Sequence, residues 1–153
     1  MRAPYQALII PFRHTVTGLE FAVLERRDSG DWQFVSGGGE DDESPVEAAQ
    51  REMREEVSLN VDGRLLKLDA IATIPACVFD EVASWGDDIL VIPEYSFAVD
   101  VQDAELVLSS EHSELRWTSY EQACDLLRWD SNRTALWELR ERLKRQLCEP
   151  CSD

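Results

Sequence analysis

The feature that most constrains this chain is a helix N-terminus that follows a run of glycines by a few residues. Ser44, Pro45 and Glu47 indicate a helix N-terminus: Ser caps a helix, Pro favours its first position, and Glu three residues after the cap completes a capping box. The glycines at 37–39 follow a short apolar segment. Such glycines are typical of a plain turn or of a loop that presents amides to a phosphate, and together with the helix start they favour the second.

The helix that begins here has an apolar side and an acidic side. Apolar residues recur at helical spacing between positions 46 and 57, so one stripe is expected to face a core. Beside it, Glu52, Glu55 and Glu56 fall within an arc of about 100°, where their charges repel each other. An acidic face is ordinarily just solvated, but Mg²⁺ or Mn²⁺ would turn the repulsion into coordination. Arg51, four residues before Glu55, is placed to orient or partly neutralise that carboxylate.

The spacing resembles the signature of the Nudix hydrolases, which cleave nucleoside diphosphates linked to another group. The match runs through Gly37, Glu43 and residues 51–59, which read Arg-Glu-Met-x-Glu-Glu-x-x-Leu. It implies an α/β/α sandwich and phosphoanhydride hydrolysis with Mg²⁺, or Mn²⁺ as a substitute. Two positions depart from the pattern. Ser58 stands where a glycine usually ends the helix, at a cost of about 1 kcal/mol, and Ser36 stands where many relatives carry proline.

Shorter matches resemble one branch of that family, the bacterial dihydroneopterin triphosphate pyrophosphohydrolases of folate biosynthesis. The matching segments are residues 25–27, 32–33, 111–117 and 131–136. Members of the branch commonly carry a hydroxyl residue where Ser36 and Ser58 stand. The resemblance implies cleavage of dihydroneopterin triphosphate into the monophosphate and pyrophosphate.

The resemblance also implies roles for individual residues. Glu52 and Glu56 are expected to be the principal Mg²⁺ ligands, with Glu55 as a further ligand or the base. Glu111 is expected to complete the metal site or to deprotonate the attacking water, with a solvated loop residue as the alternative. The residues expected to line the substrate pocket, from the branch and from the glycine segment, are Arg2, Arg26, Ser36, Gly37, Gly38 and Asn132.

Other side chains allow two interpretations each. Arg26 and Arg27 both suit phosphate oxygens through the guanidinium fork, although one of the two is as readily a surface residue. His112 is a candidate acid or base, but a lone His beside a Glu is more often structural. Trp32 and Trp129 are expected either to stack on a pterin or purine ring or to pack in the core.

Charge narrows the classes of partner. The chain of 153 residues carries 31 acidic and 15 basic residues, a formal net charge of −16, which argues against non-specific binding to nucleic acid or acidic membranes. No apolar run approaches the length of a membrane span, and the first residues lack the layout of a signal peptide. We therefore expect a cytoplasmic protein, monomer or homodimer, whose partner is a small-molecule phosphoanhydride.

The cysteines allow a zinc or redox interpretation that we do not favour. Cys148 and Cys151 form a closely spaced pair after the last predicted helix, and Cys77 and Cys124 stand alone. Because there is no second pair, reduced thiols in a cytosolic protein are the expectation.

The order of strand and helix signals predicts the architecture. Strands are expected at residues 7–12, 21–24, 32–35, 65–72, 73–79, 89–101 and 114–117, with an acidic turn at 80–88. Helices are expected from residue 45, at 119–127 and at 132–147. This order predicts an α/β (α+β) fold, a mixed sheet sandwiched by helices, in a single domain over residues 1–153.

Three functions remain open at the level of sequence. They are hydrolysis of dihydroneopterin triphosphate, hydrolysis of other nucleoside triphosphates or dinucleoside polyphosphates, and catalytically silent nucleotide binding by a regulator. The complete set of acidic signature residues disfavours the third, because a silent regulator would be free to lose them.

Overall fold

The computed structural model describes residues 1–147 and 150–151. Its strands are β1 (Arg2–Thr15), β2 (Gly18–Arg26), β3 (Trp32–Gln33), β4 (Val35–Glu40), β5 (Leu66–Pro75), β6 (Val91–Asp100) and β7 (His112–Thr118). Its α-helices are α1 (Pro45–Val57), α2 (Tyr120–Leu126) and α3 (Asp130–Arg145). Short 3₁₀ helices span Ala76–Val78 and Asp80–Ser84.

One mixed sheet is organised around β1. This long strand pairs antiparallel with β4 through its first half and with β2 through its last residues, and it runs parallel to β6. β5 extends the sheet beyond β6, while β3 and β7 pair with β2. The arrangement brings the start of β1, the glycines of β4 and the start of β6 side by side.

Both faces of the sheet are covered because the side chains of a strand alternate. Ala7 and Ile9 of β1 pack in a core with α1, whose Met53 is fully buried. Leu8 and Ile10 point the other way and pack in a second core with α2 and α3. The predicted α/β/α sandwich with a mixed sheet is therefore confirmed.

The helix α1 begins and ends where the sequence predicts. The Ser44 hydroxyl accepts from the Glu47 amide at 3.3 Å, and the Glu47 carboxylate accepts from the Ser44 amide at 2.7 Å. Pro45 is the first helical residue. At the other end Ser58 adopts the left-handed conformation (φ 59, ψ 35) that usually selects glycine. These caps fix the position of the acidic side of the helix.

Two predicted segments are wrong in detail. Residues 37–39 lie on β4 and not in a loop, because β4 stays paired with β1 as far as Glu40. The predicted strands 65–72 and 73–79 are one strand that ends at Pro75, after which the chain turns into a 3₁₀ helix. Apolar residues continue past Pro75, so their pattern alone predicts that the strand continues. Proline cannot donate a hydrogen bond to the sheet, and it therefore favours the end of a strand.

Two further expectations concern the cysteines and membrane spans. Cys148 lies outside the described residues, so the expectation of reduced thiols for Cys148 and Cys151 stays a prediction. Within residues 1–147 and 150–151, no helix is both long enough and apolar enough to span a membrane.

Candidate active site

A cleft of about 1190 Å³ is lined by α1, β4, the first residues of β1 and α3, and the end of β5. This volume accommodates a ligand of nucleotide size. The residues expected as metal ligands, base or pocket lining, together with Arg51, all line it, namely Arg2, Arg26, Ser36, Gly37, Gly38, Arg51, Glu52, Glu55, Glu56, Glu111 and Asn132. The fold thus brings together groups that lie up to 130 positions apart in the chain.

Two of the three helix carboxylates are buried in the wall of the cleft. Glu52 is 8% exposed and Glu56 is 5% exposed, whereas the side chain of Glu55 is 57% exposed. Glu52 fits because the facing residue of β4 is Gly37, where any Cβ atom would overlap the Glu52 carboxylate. Glu56 accepts a hydrogen bond from the backbone amide of Ser36. The contribution of the glycine strand here is close approach to α1.

Burial strongly perturbs these two acids. It raises the pKa of Glu56 to about 9, and the neighbouring charges of Glu52 and Glu111 add to the effect. Burial also raises the pKa of Glu52 to about 7, an effect that Arg51 opposes and Glu55 and Glu111 reinforce. Carboxylates crowded into a cleft with raised pKa values are typical of functional sites.

Arg51 connects the acidic face to the glycine strand. Its guanidinium donates to the Glu43 carboxylate at 2.9 Å, to Glu52 at 2.9 Å and to Glu55 at 3.2 Å. It also donates to the Gly38 carbonyl at 2.8 Å. The sequence placed Arg51 beside Glu55. The structure shows that it joins three carboxylates and the Gly38 carbonyl of β4 in one hydrogen-bond network.

Glu111 reaches the cleft from an exposed turn that is held by hydrogen bonds from Arg27. The Arg27 side chain donates to the carbonyls of Ser110 at 2.9 Å and His112 at 3.2 Å, and its amide donates to the Glu111 carbonyl at 3.0 Å. Of the two adjacent arginines, Arg27 therefore supports the Glu111 turn while Arg26 lines the cleft.

His112 lies under the same turn. Its ring is buried, both ring nitrogens lack a hydrogen-bond partner, and Nε2 is 4.0 Å from Oε2 of Glu56. Burial lowers the pKa of His112, and the nearby charge of Arg26 lowers it further. A buried neutral imidazole packed behind a carboxylate agrees with the structural interpretation.

Two arginines supply positive charge to the acidic cleft. Arg26 pairs in bidentate fashion with Asp28, at 2.9 and 2.7 Å, near the protein surface. Arg2 donates to Gln6 at 2.5 Å and lies over the Phe79 ring at 4.5 Å. Its buried Nε atom has no partner. Gly38 leaves room for this guanidinium, since a Cβ atom there would overlap it.

The start of α3 forms another part of the cleft wall. Asn132 is buried and its side-chain oxygen accepts from the Phe34 amide at 3.0 Å, so it ties α3 to the strand before the glycines. Trp129 lines the cleft and is 46% exposed. Trp32, by contrast, packs against the α3-side core beneath Arg116 and is not among the residues of the cleft wall. The core alternative thus holds for Trp32.

The sequence did not single out Glu94 or Phe79, which also line the cleft. Glu94 is 7% exposed on β6, on the sheet face that packs against α3. The available signal was a glutamate in the middle of the predicted strand 89–101, and the structure buries it on one face of β6 with Ile92 and Ser96. Phe79 follows a 3₁₀ helix that the sequence predicted as strand, so its place in the wall could not be derived.

The cleft offers oxygen ligands of the type that a divalent cation prefers. Oε2 of Glu56 is buried without a hydrogen-bond donor, and oxygen-only ligands suit Mg²⁺ or Mn²⁺. In the described part of the chain no three His, Cys, Asp or Glu side chains are already grouped closely enough to hold an ion. Glu55 is held by Arg51 and Glu111 stands on an exposed turn. Coordination by these groups therefore requires movement of side chains.

Comparison with known families agrees with this architecture. The NUDIX domain model matches residues 9–138. A curated relative from Haemophilus influenzae, a dihydroneopterin triphosphate diphosphatase, is 30% identical over 117 residues, which are 74% of each chain. The enzyme of the same name from Escherichia coli K12 is also 30% identical, over 74% of this chain and 78% of its own. This chain belongs to the NUDIX family.

Solved structures show the same fold. A structure from Listeria monocytogenes described as a NUDIX hydrolase is 48% identical, covers 96% of this chain and 99% of its own, and superposes with a TM-score of 0.86. The E. coli dihydroneopterin triphosphate pyrophosphohydrolase is 24% identical, with a TM-score of 0.73 and coverage of 91% and 97%. The prediction of a hydrolytic enzyme of the Nudix class is confirmed. The roles of individual residues stay predictions.

Proposed function

We propose that this chain hydrolyses dihydroneopterin triphosphate to the monophosphate and pyrophosphate with the help of Mg²⁺. The observation that carries the proposal is the convergence of Glu52, Glu55, Glu56 and Glu111 with Arg2 and Arg26 on one cleft. The two curated relatives that bear the name of this activity support the choice of substrate. The proposal treats residues 1–153 as one catalytic domain, a monomer or a homodimer.

Glu52 and Glu56 would hold the cation, because they are fixed on α1 and already crowded. The bound cation would neutralise phosphate charge and lower the pKa of an attacking water. Arg51 would keep the carboxylates in register through its four contacts. Arg27 would keep Glu111 at the rim through its grip on the turn.

The arginines would bind the phosphates. The Arg26–Asp28 pair is exposed, so exchanging Asp28 for a phosphate costs little. Arg2 has a buried Nε atom without a partner and can donate to a phosphate oxygen or a ligand carbonyl. Gly37 and Gly38 would contribute close packing, because a Cβ atom at either position would overlap Glu52 or Arg2. The Ser36 amide anchors Glu56. The Ser36 hydroxyl accepts from the Gln33 side-chain amide at 3.1 Å, and its own proton would be donated to the substrate.

Two groups are candidates for the base that activates water. Glu55 is on α1 and Glu111 on the β7 turn, and both line the cleft. The variants Glu55→Gln and Glu111→Gln distinguish them. The base should lower kcat by about two to four orders of magnitude with little change in Mg²⁺ affinity, whereas a ligand should weaken Mg²⁺ binding as well.

A product panel tests the proposal. The purified protein is incubated with dihydroneopterin triphosphate, ATP, dGTP and diadenosine tetraphosphate, each with Mg²⁺, and products are identified by liquid chromatography and mass spectrometry. We expect the highest kcat/KM for the pterin, with pyrophosphate released. Preference for another compound would keep the hydrolase and reject the substrate. Silence on all four would favour a nucleotide-binding regulator.

A further inference from the structure

Glu94 is a buried carboxylate in the wall of the cleft. It is 7% exposed, it lines the cleft, and it lies next to Gln6 of β1 and Ala72 of β5 in the sheet register. Among the described residues, no arginine, lysine or histidine forms an ion pair with it within 4.0 Å. Ser131 at the start of α3 is the one neighbour that favours its charged form, against the raised pKa that burial causes.

A buried carboxylate without a cation is costly unless something completes its hydrogen bonds. The proposed metal site does not account for it, because Glu94 faces the α3 side of the sheet whereas α1 covers the opposite side. Nor does Ser131 satisfy it, since one hydroxyl offers a single donor and an ionised carboxylate has two acceptor oxygens. Because Glu94 lines the cleft, a ligand bound there can reach its remaining acceptor positions.

The surroundings of Glu94 suit a flat heterocycle. The cleft wall also carries the indole of Trp129, two residues before Ser131 and with the Arg128 guanidinium 4.6 Å from its ring, and Phe79 with the Arg2 guanidinium 4.5 Å from its ring. Aromatic faces bind the faces of planar ring systems. In its ionised form the Glu94 carboxylate only accepts hydrogen bonds, so in that form it reads ring edges that present donors.

We infer that Glu94 reads a pair of adjacent N–H donors on the edge of the substrate's ring system. A 2-amino-4-oxopyrimidine ring presents such a pair, a ring N–H and an exocyclic amino group, and it occurs in both pterins and guanine. Adenine offers an acceptor in place of the ring N–H. This inference rests on the proposed function for the presence of a triphosphate-linked heterocycle in the cleft, and it names the feature of that heterocycle that is recognised.

GTP and ITP provide the test, because they differ only in the exocyclic amino group. Their affinities are measured by calorimetry in Mg²⁺-free buffer, so the result does not depend on turnover. We expect GTP to bind the wild-type protein about 10- to 100-fold more tightly than ITP. In Glu94→Gln the ratio should fall to within about threefold, mainly through weaker GTP binding. Glu20→Gln, which removes a carboxylate paired with Arg13 at 2.8 Å outside the cleft, should keep the wild-type ratio.

Two outcomes would overturn the inference. They are equal affinity of the wild-type protein for GTP and ITP, and an unchanged ratio in Glu94→Gln. A ratio that is unchanged because both ligands weaken equally would place the ribose at Glu94. If Glu94→Gln does not fold, Glu94→Asp is the second variant, and its shortened carboxylate should also lower the ratio. Whichever variant folds, a GTP/ITP affinity ratio near one in the wild-type protein would by itself reject the inference. Failure of the pterin in the product panel would leave this ratio untouched, so the two proposals fail separately.

Discussion

Gly37 and Glu52 illustrate how a single missing side chain shapes this site. Glycine in the middle of a strand weakens the strand, yet β4 carries glycine at 37, 38 and 39. The first leaves room for Glu52 and the second for Arg2, while the third does so for Tyr5, whose hydroxyl donates to the Glu43 carbonyl at 2.7 Å. The glycines therefore let charged and polar side chains lie directly on the sheet.

Gly37→Ala should displace Glu52 from its position. The added methyl group overlaps the carboxylate, so we expect a loss of about 1–3 kcal/mol in the free energy of unfolding and a fall of about 100-fold in kcat/KM. Chemical denaturation and steady-state kinetics measure the two effects. Glu52→Ala removes the overlapping group, so Gly37→Ala should cost little further stability in that background. Additive stability losses would contradict the proposed clash.

At the level of elements, the turn before β7 acquires its position from β2. Arg27 at the end of β2 holds the carbonyls of the Ser110–His112 segment, and Glu111 stands between them. The strand pairing of β2 with β7 brings the two together. A surface arginine thus determines where a candidate catalytic carboxylate lies.

Arg27→Met should lower kcat about 10-fold while leaving the KM little changed, because Glu111 would no longer be held at the rim. Arg64→Met is a matched control, since Arg64 donates to the Asp100 carbonyl at 2.6 Å and does not line the cleft. Both variants should lose a similar, small amount of stability. In a Glu111→Gln background Arg27→Met should have no further effect on kcat, and a further 10-fold loss there would exclude the positioning role.

The elements also show what sequence could and could not predict. The start of α1 and a strand at residues 7–12 were derived correctly, because helix caps and short apolar runs depend on neighbouring residues. The strand identity of residues 37–39 was missed, since glycines suggest a turn when their partner strand is unknown. Ser58 was expected to strain the helix end, and its left-handed φ agrees. Glu94 and Phe79 entered the cleft only through pairing and packing between distant segments.

At the scale of the whole molecule, the net charge of −16 conflicts with a polyphosphate substrate. Local charge resolves the conflict in part, because Arg2 and Arg26 line the cleft. A cation bound by the helix acids would add further positive charge. Without a bound cation, ionisation of the buried acids is expected to lower the free energy of unfolding.

The metal-free protein should therefore lose stability as pH rises. The folded-state pKa values of Glu52 and Glu56, about 7 and about 9, lie above the ordinary value of 4.5 for a glutamate. Between pH 4.5 and about 9 the native state thus binds more protons than the unfolded state, and the free energy of unfolding falls with pH. Melting in EDTA should show Tm falling by several degrees from pH 5 to pH 9.

Mg²⁺ should oppose this loss most strongly at high pH, because it binds the ionised carboxylates of the native state. Glu56→Gln removes the more strongly shifted group and should flatten the pH profile in EDTA as well as weaken the response to Mg²⁺. A wild-type Tm that rises with pH in EDTA would show that the buried acids are not a burden on the fold.

Pyrophosphate release from dihydroneopterin triphosphate, followed during a titration with Mg²⁺, tests the central claim most directly. The account predicts saturable activation by Mg²⁺, silence in EDTA, and a loss of at least about 1,000-fold in Glu56→Gln, with the circular dichroism spectrum unchanged. Full turnover in EDTA, or wild-type activity in Glu56→Gln, would contradict the assignment of the α1 carboxylates as the centre of catalysis.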